Sequence, residues 1–179
     1  MVDKDIVKHL PLLDEPLPSS WYSGYLDAGV KDKKKISIHY VFVESQEAPP
    51  KIAPVILFLN GGPGTSSMFG LFAEIGPLKL YHGVAKLLRN EYTWAKYVNL
   101  LFLDIPAPVG FSYCEDPQGY PSSCGNWNDS SVAYHNRKAL DNFLFKFPDF
   151  LRNSWYFVGE NYGGIYVSFS KFPAFVSCI

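Results

Sequence analysis

The 179-residue sequence has no excess of charge of either sign and no long hydrophobic run. Its 16 Lys and Arg residues stand against 17 Asp and Glu residues, for a formal net charge of −1. A chain this close to neutral lacks the basic surface with which proteins bind nucleic acid or anionic membranes. The longest uninterrupted apolar run is Val55–Leu59, which is far too short to span a bilayer. We therefore expect neither a nucleic-acid partner nor a transmembrane segment.

Cysteine is scarce as well, and the patterns of metal sites and signal peptides are missing. The three cysteines, Cys114, Cys124 and Cys178, form no CxxC pair and no Cys/His cluster with zinc spacing, so we expect no metal site. Residues 1–20 contain no apolar stretch, so we expect no signal peptide in this sequence. Cys114 and Cys124 flank a loop rich in Pro, Gly and Ser, and either a disulfide or two free thiols fits that spacing.

Aromatic residues, in contrast, are abundant, with 14 Phe, 12 Tyr and 4 Trp. The chain is 47% hydrophobic and 18% charged, which is typical of a globular protein and excludes a disordered one. Many bulky rings indicate a large buried core or a groove lined with rings.

The hydrophobic pattern predicts strands of two kinds. Residues 21–27 and 35–44 are predicted to form strands, and in the second of them side chains of two sets alternate along the chain. The lysine run at 33–35 between them predicts a solvated hairpin turn. Three further runs are almost wholly apolar, as expected of strands covered on both faces, and they comprise residues 55–60, 99–105 and 155–160.

Apolar residues at helical spacing predict a helix from Ser130 to Phe147. Asn128 or Ser130 could cap its start, and Pro148 ends it. An antiparallel beginning followed by buried strands and a crossover helix indicates a mixed sheet of the α/β class. In such sheets functional residues gather where strands end and loops begin.

Two of the predicted buried strands end in loops that contain candidate functional residues. Residues 60–64 (NGGPG) form a glycine-rich turn that could aim backbone N–H groups as an oxyanion hole does. The turn is not a Walker A loop, because no Gly-Lys-Ser/Thr follows. Residues 159–163 (GENYG) have the frame of the G-x-S-x-G nucleophile elbow, but the middle residue is Asn161. An amide is a very poor nucleophile, and no base can convert it into an alkoxide.

Together these segments resemble the serine carboxypeptidase family, which has an α/β-hydrolase fold. The family's N-G-G-P-G-x-S-S loop is similar to residues 60–67, and its G-E-S-Y-x-G elbow is similar to residues 159–164 with one change. Order and spacing agree from about residue 6 to residue 167. Supporting matches are residues 22–27, 70–77, 101–113 and 143–150.

The resemblance implies a truncated α/β-hydrolase fold. Its amino-terminal strands would be antiparallel, its central buried strands parallel and linked by crossover helices, and its carboxy-terminal half missing. Residues 1–179 would form one partial domain that ends just after the elbow, with residues 168–179 as a tail outside the family pattern. The exposed edge of such a sheet invites self-association.

The resemblance also implies roles for individual residues. The backbone N–H groups of Gly62 and Tyr162 would form the oxyanion hole. The carboxylate of a peptide or protein C-terminus would be held by Asn60, Gly61, Glu74 and Glu160. Two glutamates facing an anion must share a proton, because like charges disfavour joint ionisation, and such a site suits acidic pH. The family implies no cofactor, and it points to the vacuole, the lysosome or the cell exterior.

The departures from the family pattern concern catalysis. Asn161 stands at the nucleophile position, and no His, Asp or Glu follows it, whereas the triad of this fold runs Ser, then Asp or Glu, then His. Deamidation of Asn161 would supply a carboxylate nucleophile but still no base. Phe58 and Thr65 replace the usual Trp and Cys, and family members are more than twice this length.

Three hypotheses of function remain open at this point. The first is a serine carboxypeptidase-like protein that cannot carry out the family's hydrolysis. The second is a fragment or altered copy of an active serine carboxypeptidase. The third is a binder of peptide C-termini that does not cut them.

Overall fold

The computed structural model describes residues 2–170 and 176–178, and a mixed β-sheet forms its centre. The strands are β1 (Ile6–Val7), β2 (Trp21–Lys31), β3 (Lys34–Val43), β4 (Val55–Leu59), β5 (Leu78–Leu80), β6 (Leu87–Arg89), β7 (Asn99–Leu103), β8 (Tyr113–Glu115), β9 (Pro121–Ser122), β10 (Trp155–Gly159) and β11 (Val176–Cys178). The helices are α1 (Asp129–Lys146) and α2 (Gly163–Phe169). Short 3₁₀ turns cover Val2–Asp5, Trp94–Lys96 and Pro148–Phe150, and a π-helical turn covers Gly70–Glu74.

The main sheet has the strand order β1-β2-β3-β7-β4-β10-β11. Neighbours from β1 to β7 pair antiparallel, and neighbours from β7 to β11 pair parallel. β8 and β9 extend the sheet beside β3, whereas β5 and β6 form a separate hairpin. The predicted α/β fold, with antiparallel amino-terminal strands and buried parallel strands, is confirmed.

The turn between β2 and β3 is tighter than the lysine run suggested. Asp32 and Lys33 make the turn, and both adopt positive φ angles of 50° and 65°. Lys34 and the residues after it already belong to β3, and β2 continues to Lys31. The turn therefore includes the first residue of the lysine run, and it begins at Asp32, a residue type that tolerates the left-handed conformation.

Helix α1 is the crossover between β7 and β10, and it lies within one residue of the prediction at each end. Asn128 caps it: its side chain accepts the Ser131 N–H at 2.9 Å, and the Ser131 hydroxyl accepts the Asn128 N–H at 3.1 Å. The crossover from β4 to β7 differs from the expected helix. It consists of the π-helical turn, the β5–β6 hairpin and a 3₁₀ turn, because Gly76 and Pro77 interrupt the chain soon after Gly70–Glu74.

Apolar side chains cover both faces of the sheet. On the α1 face, the rings of Phe42, Phe143, Phe147 and Trp155 pack together, and each is at most 4% exposed. The opposite face carries a second cluster that comprises, among others, Trp21, Val43, Phe58, Leu71 and Phe102. Burial on both faces explains why the central strands are almost wholly apolar.

Cys114 in β8 and Cys124 after β9 form a disulfide, with their Cα atoms 5.4 Å apart. The structure thus decides between the two alternatives that the spacing left open. Closing a loop of this size stabilises the fold by about 3 kcal/mol in the chain-entropy description. Among the described residues, no helix combines the length and apolar character needed to cross a bilayer.

Candidate active site

The chain turns sharply between β10 and α2, and this elbow presents Asn161. Asn161 adopts a φ of 55°, a left-handed conformation that asparagine tolerates better than most residues, and its side chain is exposed. Glycines on both sides of Asn161 allow this sharp turn, because a side chain at either position would clash with backbone. A Cβ on Gly159 would lie 2.2 Å from the Gly163 carbonyl carbon, and one on Gly163 would lie 2.0 Å from the Leu59 carbonyl oxygen. Neither position leaves room for a side chain.

The glycine loop after β4 lies against this elbow. β4 and β10 are parallel neighbours in register, with Leu59 opposite Gly159, so both loops leave the same edge of the sheet. A Cβ on Gly61 would lie 2.2 Å from the Tyr162 backbone nitrogen. Gly62 follows with a φ of 105°, a conformation that only glycine adopts readily. The structure thus brings together the two loops whose N–H groups were predicted to form an oxyanion hole.

The Asn161 side chain already engages one of these groups. The Gly62 N–H donates a hydrogen bond to Asn161 Oδ1 at 3.0 Å. In an oxyanion hole such a donor is directed at the oxygen of the reacting carbonyl. Here the amide oxygen of Asn161 accepts that hydrogen bond, so the residue at the nucleophile position has no reactive hydroxyl and its own side chain occupies the Gly62 donor.

The four residues predicted to hold a carboxylate also meet at this edge. Asn60 is fully buried, and its Nδ2 lies 3.2 Å from Glu74 Oε2 and 3.3 Å from Glu160 Oε2. Its Oδ1 accepts the Gly70 N–H at 2.9 Å, which fixes the orientation of the amide. Gly61 is the next residue in the chain. One buried amide therefore holds two carboxylates that come from different elements.

Tyr162 anchors the elbow to the start of α1. Its hydroxyl donates to Asp129 Oδ1 at 2.9 Å, and this hydrogen bond raises the pKa of the Tyr162 hydroxyl. Its ring meets that of Tyr166 edge to face, with the centroids 5.3 Å apart. Burial raises the pKa of Tyr166 to about 12. Both phenols stay neutral at physiological pH, and their rings pack together while the Tyr162 hydroxyl donates a hydrogen bond.

Sequence reasoning missed a polar group at the end of a third buried strand. Asp104 follows β7, and its side chain is fully buried. Its Oδ1 accepts the Ser66 hydroxyl at 2.5 Å, and its Oδ2 lies 2.9 Å from His39 Nδ1. Asp104 could have been singled out from the sequence, because it directly follows an apolar run. The other site residues also lie where strands end.

Within residues 2–170 and 176–178, no three His, Cys, Asp or Glu side chains come together in a way that could hold a metal ion. The side chains that meet at the elbow are amides, carboxylates and a phenol. What they can offer a ligand is hydrogen bonding and charge.

A glycine loop facing a strand–elbow–helix turn across parallel strands defines this chain as an α/β-hydrolase-type protein. The comparisons with known proteins refine that class. A family model described as serine carboxypeptidase matches residues 11–175. The chain belongs to the serine carboxypeptidase family.

Relatives and solved structures agree with this assignment. The chain is 42% identical over 165 residues to the lysosomal protective protein of Mus musculus, covering 92% of this chain and 32% of that protein. It is 39% identical over 167 residues to serine carboxypeptidase-like 9 of Arabidopsis thaliana, covering 90% of this chain and 36% of that protein. A prohormone-processing carboxypeptidase from Saccharomyces cerevisiae superimposes with a TM-score of 0.80 at 27% identity, covering 94% of this chain and 38% of that one. The chain thus spans about a third of the length of the relatives it matches.

Proposed function

We propose that this polypeptide is a serine carboxypeptidase-like protein that lacks the family's hydrolytic step. The observation that carries the proposal is the hydrogen bond from the Gly62 N–H to Asn161 Oδ1 at 3.0 Å. A nucleophilic hydroxyl is replaced by an amide, and that amide occupies a donor that the reaction needs. In a comparable serine hydrolase, loss of the nucleophile lowers kcat by about 10⁶-fold.

We expect the 179-residue chain to show no turnover in a direct assay. We expect no release of the C-terminal amino acid from amino-blocked dipeptides, at acidic or neutral pH, beyond the rate in buffer. An active serine carboxypeptidase serves as the positive control, and Asn161→Ala serves as the matched variant. Amino acid release that disappears in Asn161→Ala would contradict the proposal.

A second candidate function is binding of peptide C-termini without cleavage. The favouring observation is the buried Asn60 amide, which holds Glu74 and Glu160 at 3.2 and 3.3 Å. A protonated glutamate can donate a hydrogen bond to a ligand carboxylate, and Asn60 keeps the pair in place. The geometry of this pocket does not depend on a nucleophile.

Calorimetry in mildly acidic buffer tests this candidate. We expect a peptide with a free C-terminus to bind about tenfold more tightly than its C-terminal amide, a difference of about 1.4 kcal/mol. Glu160→Ala should remove that preference, whereas Glu47→Ala, at an exposed site away from the elbow, should keep it. Equal affinity of acid and amide for the unaltered chain would rule out this function.

The compartment that suits this protein is an oxidising one. The Cys114–Cys124 disulfide persists in secreted, lysosomal or vacuolar surroundings and is rarely kept in the cytosol. The similarity to a lysosomal protective protein points the same way. We place the protein in the lysosome, the vacuole or the cell exterior.

A further inference from the structure

A serine, a histidine and an aspartate form a hydrogen-bonded row that includes none of the residues of the elbow. Ser23 Oγ lies 3.0 Å from His39 Nε2, and His39 Nδ1 lies 2.9 Å from Asp104 Oδ2. The pairing of β2 with β3 accounts for the contact between Ser23 and His39. Ser23 pairs with Val41 and Tyr25 pairs with His39, so Ser23 and His39 are diagonal neighbours on one face of the β2–β3 ladder.

Two further hydrogen bonds hold the Asp104 carboxylate beside His39. The carboxylate accepts the Ser66 hydroxyl at 2.5 Å and the Phe111 N–H at 3.1 Å, so it is held as an acceptor. In the tautomer that carries its hydrogen on Nδ1, His39 donates to Asp104 and its Nε2 accepts the hydrogen of the Ser23 hydroxyl. These are the roles that a nucleophile, a base and an orienting acid need.

The rings around His39 hold it in this orientation. Phe111 and Tyr25 meet the imidazole edge to face, with centroids 5.1 and 5.7 Å away. His39 is only 8% exposed, whereas Ser23 is half-buried and can be reached from a pocket. A buried base that faces an accessible hydroxyl is the arrangement that activates a serine.

Ser23 and His39 line one wall of a cavity of about 560 Å³. The other walls are mostly apolar and include Val7, Leu10, Val41, Leu71 and Phe72. A volume of this size is within the range of small-molecule sites, and its walls would favour an acyl or alkyl chain over a charged group.

We propose that Ser23, His39 and Asp104 form a second nucleophilic site that reacts with activated esters of apolar acids. The site does not depend on Asn161, and it stands or falls separately from the function proposed for the elbow. No described residue is assigned as an oxyanion donor at this pocket. Oxyanion donors contribute about 10²–10³ in rate, so a site without them is slower by that factor. The substrates are therefore activated aryl esters and not peptides.

The reaction balances with water as the only co-reactant. Ser23 Oγ attacks the ester carbonyl carbon while its proton moves to His39 Nε2. The bond from the carbonyl carbon to the aryl oxygen then breaks, and the leaving aryloxide takes the proton from Nε2. Water attacks the acyl-serine by the same route, returns the hydroxyl to Ser23 and releases the carboxylic acid. Asp104 keeps the imidazole oriented and stabilises it while it is protonated.

An alkyl fluorophosphonate tests the site, because it reacts with activated serines and leaves a covalent mass. We expect the folded chain to be labelled on the peptide that contains Ser23. Labelling of that peptide should disappear in Ser23→Ala and slow by about 100-fold in His39→Gln, the effect of losing a general base. Ser130→Ala, which alters an exposed serine outside the pocket, should be labelled like the unaltered chain.

A second measurement guards against a variant that fails to fold. The unaltered chain is labelled in buffer and in urea, and we expect labelling at Ser23 only in buffer. Hydrolysis of p-nitrophenyl esters should then rise from acetate to hexanoate and be lost in Ser23→Ala. Equal labelling in buffer and urea, unchanged labelling in a folded His39→Gln, or no label at Ser23 would each overturn the proposal.

Discussion

Replacing Gly163 with alanine will lower the free energy of unfolding by about 3 kcal/mol, at the upper end of the usual cost of overpacking. The new Cβ would lie 2.0 Å from the Leu59 carbonyl oxygen, which is backbone of the adjacent strand β4. Neither atom belongs to a flexible side chain, so the start of α2 and the end of β4 must move apart. Chemical denaturation followed by circular dichroism measures this loss.

The adjacent glycine gives a matched control. A Cβ on Gly164 meets nothing within 4 Å, although both glycines lie in the first turn of α2. Gly164→Ala should therefore leave the stability unchanged or raise it by up to about 1 kcal/mol, because alanine favours a helix over glycine. Equal effects of the two substitutions would show that the close contact between α2 and β4 is not real.

Replacing Phe143 with alanine should have the largest effect on stability, about 3–5 kcal/mol. Phe143 is fully buried on the inner face of α1. Its ring centroid lies 4.6 Å from that of Phe147, 5.1 Å from that of Phe42 and 5.9 Å from that of Trp155. Alanine would leave a cavity between the helix and the strands, and several ring contacts would be lost together.

Phe145 lies in the same helix and serves as the control. Its side chain is 83% exposed, so Phe145→Ala removes little packing and should change the stability by less than about 0.5 kcal/mol. Thermal and urea unfolding of the two variants side by side gives the comparison. A loss of less than about 1 kcal/mol in Phe143→Ala would contradict the α1 packing described above.

Much of the fold could be predicted from the sequence because its signals are local. The apolar runs at β4, β7 and β10 are short, continuous and bounded by turn residues, so their burial is evident from composition alone. Helix α1 has both periodicity and an end signal in Pro148. The β4–β7 crossover could not be predicted in detail, since the close approach of Gly76 to the Leu71 carbonyl follows from packing and not from a local sequence pattern.

Only those residues of the candidate site that lie in sequence motifs could be predicted. The glycine loop and the elbow carry fixed spacings, so Asn60, Glu160 and Asn161 could be singled out in advance. Glu74 was found only through the family resemblance, because one carboxylate at that position has no local signature.

The hydrogen bond from Gly62 to Asn161 could not be predicted from spacing. It depends on two loops that are 99 positions apart in the chain. The contact between Ser23 and His39 depends on diagonal pairing across β2 and β3, and Asp104 is 65 positions beyond His39. Contacts of this kind follow from strand register and not from composition.

The most direct test of the central claim is the release of a C-terminal amino acid from an amino-blocked dipeptide by the purified chain and by Asn161→Ala. We expect the same rate for both proteins, equal to the rate in buffer, because position 161 supplies no nucleophile. A rate well above buffer for the unaltered chain that falls to the buffer rate in Asn161→Ala would contradict it.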